Sequence, residues 1–185
     1  MSTVENKSKT TLYMVYTAMF AVIMAVCSWI SIPTNIPFTL QTFAVFLAVG
    51  VLGGKYGTMS VLVYLLLGAV GVPVFAGFSG GLGIMLGVTG GYIVGFLFSA
   101  LVMWLIEALL GKKIWVLALS MVLGLIVCYA FGTIWFVKVY SNGGESISFA
   151  GALGMCVVPY IIPDAIKIVI ALAISKRVRG LIRLV

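Results

Sequence analysis

Pro163, Asp164 and Lys167 stand inside an otherwise uncharged, apolar stretch from Phe149 to Ser175, and they are the residues best equipped for chemistry there. Asp164 and Lys167 are three positions apart, so on a helix they share one face. Proline suits a first helical turn or a kink, which sets Asp164 near the positive end of the helix dipole. Nine residues separate Lys167 from Lys176, and that spacing places Lys167 about 14 Å from the helix end, near the middle of a bilayer. An ionised side chain at that depth costs about 2.5–3.5 kcal/mol on insertion scales. Such residues line a cavity or pair with one another, and function is the first hypothesis; a purely structural ion pair is the plain alternative. As a binding pair they suit a solute carrying both donors and acceptors. The ammonium takes a carboxylate or carbonyl, the carboxylate takes N–H groups, and which ligand group meets which residue stays open.

Other polar residues cluster at fewer places. Phe38-Thr39-Leu40-Gln41-Thr42 opens an apolar run with three hydrogen-bonding side chains. Capping explains Thr39, whereas Gln41, with donors and an acceptor on one amide, is a candidate ligand contact beside Thr42. Thr89-Gly90-Gly91-Tyr92 sits where a loop becomes a helix and offers backbone N–H groups and a phenol. Gly83, Gly87, Gly91 and Gly95 recur every four residues, which on a helix makes one smooth packing face. Thr17, Ala21 and Ala25 make a second small-residue stripe, for internal packing or for docking a partner. Glu107 lies near a helix end and reads as an interfacial charge close to Lys112 or Lys113.

Enzyme signals are weak. Gly77-Phe78-Ser79-Gly80-Gly81 fits G-x-S-x-G, but serine chemistry of that kind needs a histidine base and the chain contains none. No G-x-x-x-x-G-K-[ST] phosphate loop is present. Cys27, Cys128 and Cys156 are too scattered for a metal site or a disulfide framework and read as small packing residues. Neither a catalytic residue, a metal nor a cofactor is expected.

The elements that position these residues follow from composition. Of 185 residues, 63% are hydrophobic and 8% charged, against about 25% charged in soluble domains. Too little polar surface remains to face water, so lipid serves as part of the solvent. Charge is absent from Thr10 to Gly54 and from Tyr56 to Ile106, with interruptions at Pro33 and Pro37 and at the Gly/Pro-rich segment 71–89. These breaks predict an all-α integral membrane protein. It is one membrane domain over 1–185, a bundle of six transmembrane helices near 11–31, 39–53, 57–70, 90–110, 114–137 and 149–175. The second and third runs are short for a crossing of about 20 residues, so five spans is the alternative count. The polar segment 138–148 is expected to be a loop, and the N-terminal helix a retained span rather than a signal peptide.

Basic residues fix the expected orientation. With both termini cytoplasmic, Lys7, Lys9, Lys55, Lys112, Lys113, Lys176, Arg177, Arg179 and Arg183 all fall inside, nine of the eleven in the chain. That is the positive-inside pattern, and it accounts for the net charge of +7 without nucleic acid. The opposite loops, 31–38 and 71–89, carry no charge, and the longer is suited to fold back over the bundle as a lid.

The chain resembles the BioY family, the biotin-specific S-components of energy-coupling factor (ECF) transporters. The resemblance rests on Ile36-Pro37-Phe38-Thr39-Leu40-Gln41-Thr42, Tyr64-Leu65-Leu66-Leu67-Gly68 and Gly71-Val72-Pro73-Val74-Phe75. It continues through Ser79-Gly80-Gly81, Thr89-Gly90-Gly91-Tyr92 and Ile162-Pro163-Asp164-Ala165-Ile166-Lys167, and so covers nearly the whole chain. Gly87-Val88-Thr89-Gly90-Gly91 departs from the family's usual G-P-T-G-G. The resemblance implies six transmembrane helices in the cell membrane, biotin bound near the outer face under the two outer loops, and delivery inward. It implies as partners a transmembrane coupling protein, docked on the stripe matched by Ala21 and Ala25, and two ATPases. Biotin's ureido ring and carboxylate suit Asp164 and Lys167, with Phe38, Phe75 and Tyr92 walling its apolar part. An S-component for another vitamin is the nearest competing reading, and an ion or proton channel using Asp164, Lys167 and Glu107 the next.

Overall fold

In lipid every backbone polar group must bond within its own segment, and the apolar runs answer that demand as helices. The computed structural model describes residues 2–32, 37–142 and 147–182. Among them five helical stretches are long and apolar enough to cross a membrane: Thr10–Trp29, Gln41–Ala69, Gly90–Leu110, Ile114–Ser141 and Phe149–Arg179. The surface is correspondingly inverted, with Val70, Leu109 and Ile162 exposed while Asp164 and Lys167 are buried.

Helix α1 (Ser2–Trp29) leads into a short antiparallel ribbon, β1 (Ser31–Ile32) against β2 (Phe38–Thr39), with Ser31 opposite Thr39. The ribbon flanks the expected 31–38 turn; Pro33 and Ile36 lie outside the described residues, as do the side chains of Lys7, Lys9 and Arg183. The stripe Thr17, Ala21 and Ala25 is buried, on the side of α1 that packs on α2. Internal packing is therefore what these small residues do here. The face α1 leaves open carries Met14, Met19, Val22 and Val26.

Helix α2 (Gln41–Ala69) joins the two short runs expected at 39–53 and 57–70, but it is not straight. Gly53 has φ +80° and ψ 168°, outside helical space. Gln41 and Tyr64 would stand about 35 Å apart on a straight helix, yet their side chains hydrogen-bond at 2.5 Å. The element is a hairpin of two antiparallel arms. Gly57 makes the reversal feasible: a Cβ there would sit 2.4 Å from the Cα of Val49 in the first arm.

Breaking a helix orphans carbonyls at one new end and N–H groups at the other. Neighbouring helices meet both needs. Arg179 donates from its Nε to the Gly50 carbonyl, and Glu107 accepts the Gly54 N–H. Each charge also complements the dipole end it faces. Glu107 is thus a cap for the hairpin rather than a plain interfacial charge. Glu107→Ala should cost about 1–3 kcal/mol, the penalty of an unsatisfied buried donor, while Glu107→Gln, which keeps an acceptor, should cost less; thermal unfolding in detergent reads the difference.

The segment after α2 is folded rather than plain. Phe75 and Ser79 pair around a 3-10 turn at Ala76–Phe78, and α3 (Leu82–Leu86) follows. Phe75 is fully buried against Gly68, where any Cβ would strike its ring, and meets Tyr64 edge-on at 5.6 Å. The four-residue glycine stripe does not exist as one face, because Gly87 ends α3 in an extended conformation. Only Gly91 and Gly95 share a helix, α4 (Gly90–Leu110), where they pack against Trp135 and Cys128 of α5 (Ile114–Asn142).

Helix α5 runs past the expected 137, so Lys138 is helical and the expected 138–148 loop is shorter; residues 143–146 lie outside the described ones. The expected last helix is interrupted. α6 (Phe149–Cys156) ends at Val157, a 3-10 turn spans Val158–Tyr160 with Pro159 at its start, and α7 runs from Ile161 to Ile182. Proline lacks the N–H that would continue the ladder. The break places Pro163 and Asp164 in the first turn of a new helix, as the proline rule anticipates.

Candidate ligand-binding site

The end of the bundle opposite the Gly53 reversal holds a cavity of about 360 Å³, within the range usual for small-molecule sites. Four elements supply its polar pole: β2, the start of α2, α5 and α7.

Lys167 reaches from α7 to donate to the Thr39 carbonyl at 2.7 Å, the Thr42 hydroxyl at 3.2 Å and the Asp164 carboxylate at 2.7 Å. Its ammonium also lies 4.1 Å from the centroid of the Phe38 ring, a cation–π contact. Asp164 accepts from Lys167 and Thr42 on one oxygen and from the Tyr129 hydroxyl on the other. Both charged residues are buried, 3% and 6% exposed, so the low dielectric makes each missing partner costly. Lysine has three donors, and all three are engaged. A carboxylate offers about four acceptor positions, and here three are taken. Asp164 itself is among the residues that line the cavity.

A second chain of hydrogen bonds fixes the wall behind this pole. Thr39 donates to the Gln41 amide oxygen at 2.8 Å and accepts the Gln41 N–H at 3.2 Å, a local turn bond rather than the expected cap, because Leu40 holds the N-cap position of α2. Gln41 donates to Tyr64, and Tyr64 and Ser28 both donate to the Val74 carbonyl, at 3.0 and 2.6 Å. This chain ties both arms of α2, α1 and the loop after α2 into one frame. Gln41 lines the cavity with its amide already committed at both ends.

The cavity brings together all the candidate ligand residues except Gly90 and Gly91. Those two are packing positions: a Cβ at Gly90 would strike the Met85 carbonyl, and one at Gly91 the Trp135 side chain. Phe38, Phe75 and Tyr92 form apolar wall, and Ser79 and Thr89 add hydroxyls from the loop and the start of α4. Sequence reasoning missed Tyr129, Phe96, Tyr160 and the cavity-lining thiols of Cys128 and Cys156. The spacing of Cys128 and Tyr129 from Asp164 carries no signal, since they meet only through the packing of α5 on α7.

A polytopic helix bundle with a buried ion pair at the pole of a ligand-sized cavity defines a membrane protein that binds a small polar solute. The chain belongs to the BioY family, whose model matches residues 2–183. It is 44% identical over 163 residues to the biotin transporter BioY of Thermotoga maritima, covering 88% of this chain and 92% of that one. It is 33% identical over 179 residues to the biotin transporter BioY of Rhizobium etli, covering 89% and 91%. Its fold is similar to the crystal structure of the S-component for biotin from an ECF-type ABC transporter, with a TM-score of 0.84 and 28% identity over 94% of this chain and 93% of that one.

Proposed function

We propose that the cavity receives biotin and that this chain is the substrate-binding subunit of an importer, working with a transmembrane coupling protein and two ATPases. The observation that carries this reading is the Asp164–Lys167 pair at the pole of the cavity. Biotin's ureido ring brings two N–H donors, and Asp164 takes one of them. Because Lys167 has no donor to spare, and the Ser79 hydroxyl already donates to the Ala76 carbonyl, the tail carboxylate points toward the Thr89 hydroxyl. The rings pack between Phe38, Phe75 and Tyr92. Each arm of α2 then crosses the membrane, giving six crossings with both termini on the cytoplasmic side, where Lys112, Lys113 and Lys176 cluster.

Competition against labelled biotin tests the reading and the orientation together. Methylation of the ureido nitrogen that faces Asp164 should weaken binding by at least about tenfold, the worth of a hydrogen bond to a charged group. Conversion of the tail to a neutral amide should cost less. The opposite ranking would reverse the orientation and give Lys167 the carboxylate. Failure of biotin itself to bind folded protein would overturn the assignment.

A further inference from the structure

A second cleft, about 270 Å³, lies at the other end of the bundle, between Tyr13 of α1, the reversal of α2 and the last turns of α4. Two exposed ammonium groups, Lys55 and Lys112, line it. Neither forms an ion pair with a carboxylate among the described residues, where Lys167 pairs with Asp164. Glu107 is the cleft's one acid; it accepts the Gly54 N–H, and its negative charge is shared with the cations of the adjoining cleft as well as with Lys55 and Lys112. Lys113 and Arg179 stand beside the same glutamate in the adjoining cleft, so the surroundings are strongly cationic.

The remaining walls are amphipathic aromatics. Tyr13 stacks on Tyr56 with centroids 4.1 Å apart and planes 7° from parallel, and Trp104 closes the other side. Tyrosine and tryptophan of this kind mark the headgroup level of a bilayer. Leu101 is three positions before Trp104 and so shares its face; both are 40% exposed, and Leu105 follows at 57%. An apolar strip therefore runs from the cleft along α4 toward the middle of the membrane.

We propose that this cleft is a binding site for the phosphate headgroup of an acidic phospholipid, with Lys55 and Lys112 on the phosphate and an acyl chain along the Leu101–Trp104–Leu105 strip. Cationic pockets between helix ends bind such headgroups by attraction in a poorly hydrated boundary. A free phosphate ester would match the lysines but would leave the apolar strip unused.

Native mass spectrometry of the purified protein, with phosphatidylglycerol or phosphatidylcholine added, tests the site. Phosphatidylglycerol should be retained in preference to phosphatidylcholine. Lys55→Gln/Lys112→Gln should reduce that retention by about thirtyfold, given the worth of two lysines near an anionic headgroup, while Lys176→Gln should leave it unchanged. Retention of biotin binding by the double variant shows that it has folded, and thermal unfolding serves the same purpose independently of the ligand assignment. Equal retention of the two lipids, or equal loss in the Lys176 variant, would overturn the site. Displacement of phosphatidylglycerol by an equal concentration of glycerol phosphate would overturn the lipid as its occupant.

Discussion

Asp164→Ala is expected to abolish ligand binding and to destabilise the protein by about 3–5 kcal/mol, the cost of leaving a buried charge without its partner. The Lys167 ammonium, 6% exposed, would retain the Thr39 carbonyl, the Thr42 hydroxyl and the Phe38 ring but no counter-charge. Tyr129 would lose the acceptor of its hydroxyl as well. Neutralising both members separates the structural effect from the functional one. Asp164→Asn/Lys167→Met should recover much of the stability, because no unpaired charge remains, yet should bind no ligand. Thermal unfolding beside a binding assay reads the two quantities. Full stability in Asp164→Ala would mean that the pair contributes nothing to the fold, and binding by the double variant would remove it from the site.

Gly57→Val should be the most disruptive change outside the site. A Cβ at this position meets the backbone Cα and N of Val49 at 2.4 and 2.7 Å, and backbone atoms cannot swing aside as a side chain does. The two arms of α2 would have to part, separating Gln41 from Tyr64 and opening the frame behind Lys167. A loss of about 3 kcal/mol or more is expected, at the upper end of overpacking costs, with aggregation on size exclusion. Gly83→Ala is the matched control, since a Cβ there meets nothing within 4 Å. A Gly57 variant as stable as the control would mean that the arms do not pack closely.

These two sites mark how far the sequence could be read. Asp164 and Lys167 were legible because ionised residues in a long apolar run have few reasons to be there except pairing or binding. The reversal was legible in outline, since Lys55 amid glycines divides two runs too short to cross alone, but the single non-helical residue at Gly53 was not. The interruption at Val157 went unforeseen although Pro159 and Pro163 follow it closely, because proline marks either a start or a kink. Tyr129 and Phe96 were invisible for a different reason: an aromatic in an apolar helix looks the same whether it faces lipid or cavity. Gly90 and Gly91 were read as ligand contacts because they adjoin Thr89 and Tyr92, which do line the cavity. Close helix packing demands the same residue type, and here it uses them.

Calorimetric titration of biotin into the purified protein tests the central claim most directly. One biotin per wild-type chain, and no heat of binding from a folded Asp164→Asn/Lys167→Met variant, is the predicted result. A folded wild-type protein that takes up no biotin, or equal binding by the variant, would contradict it.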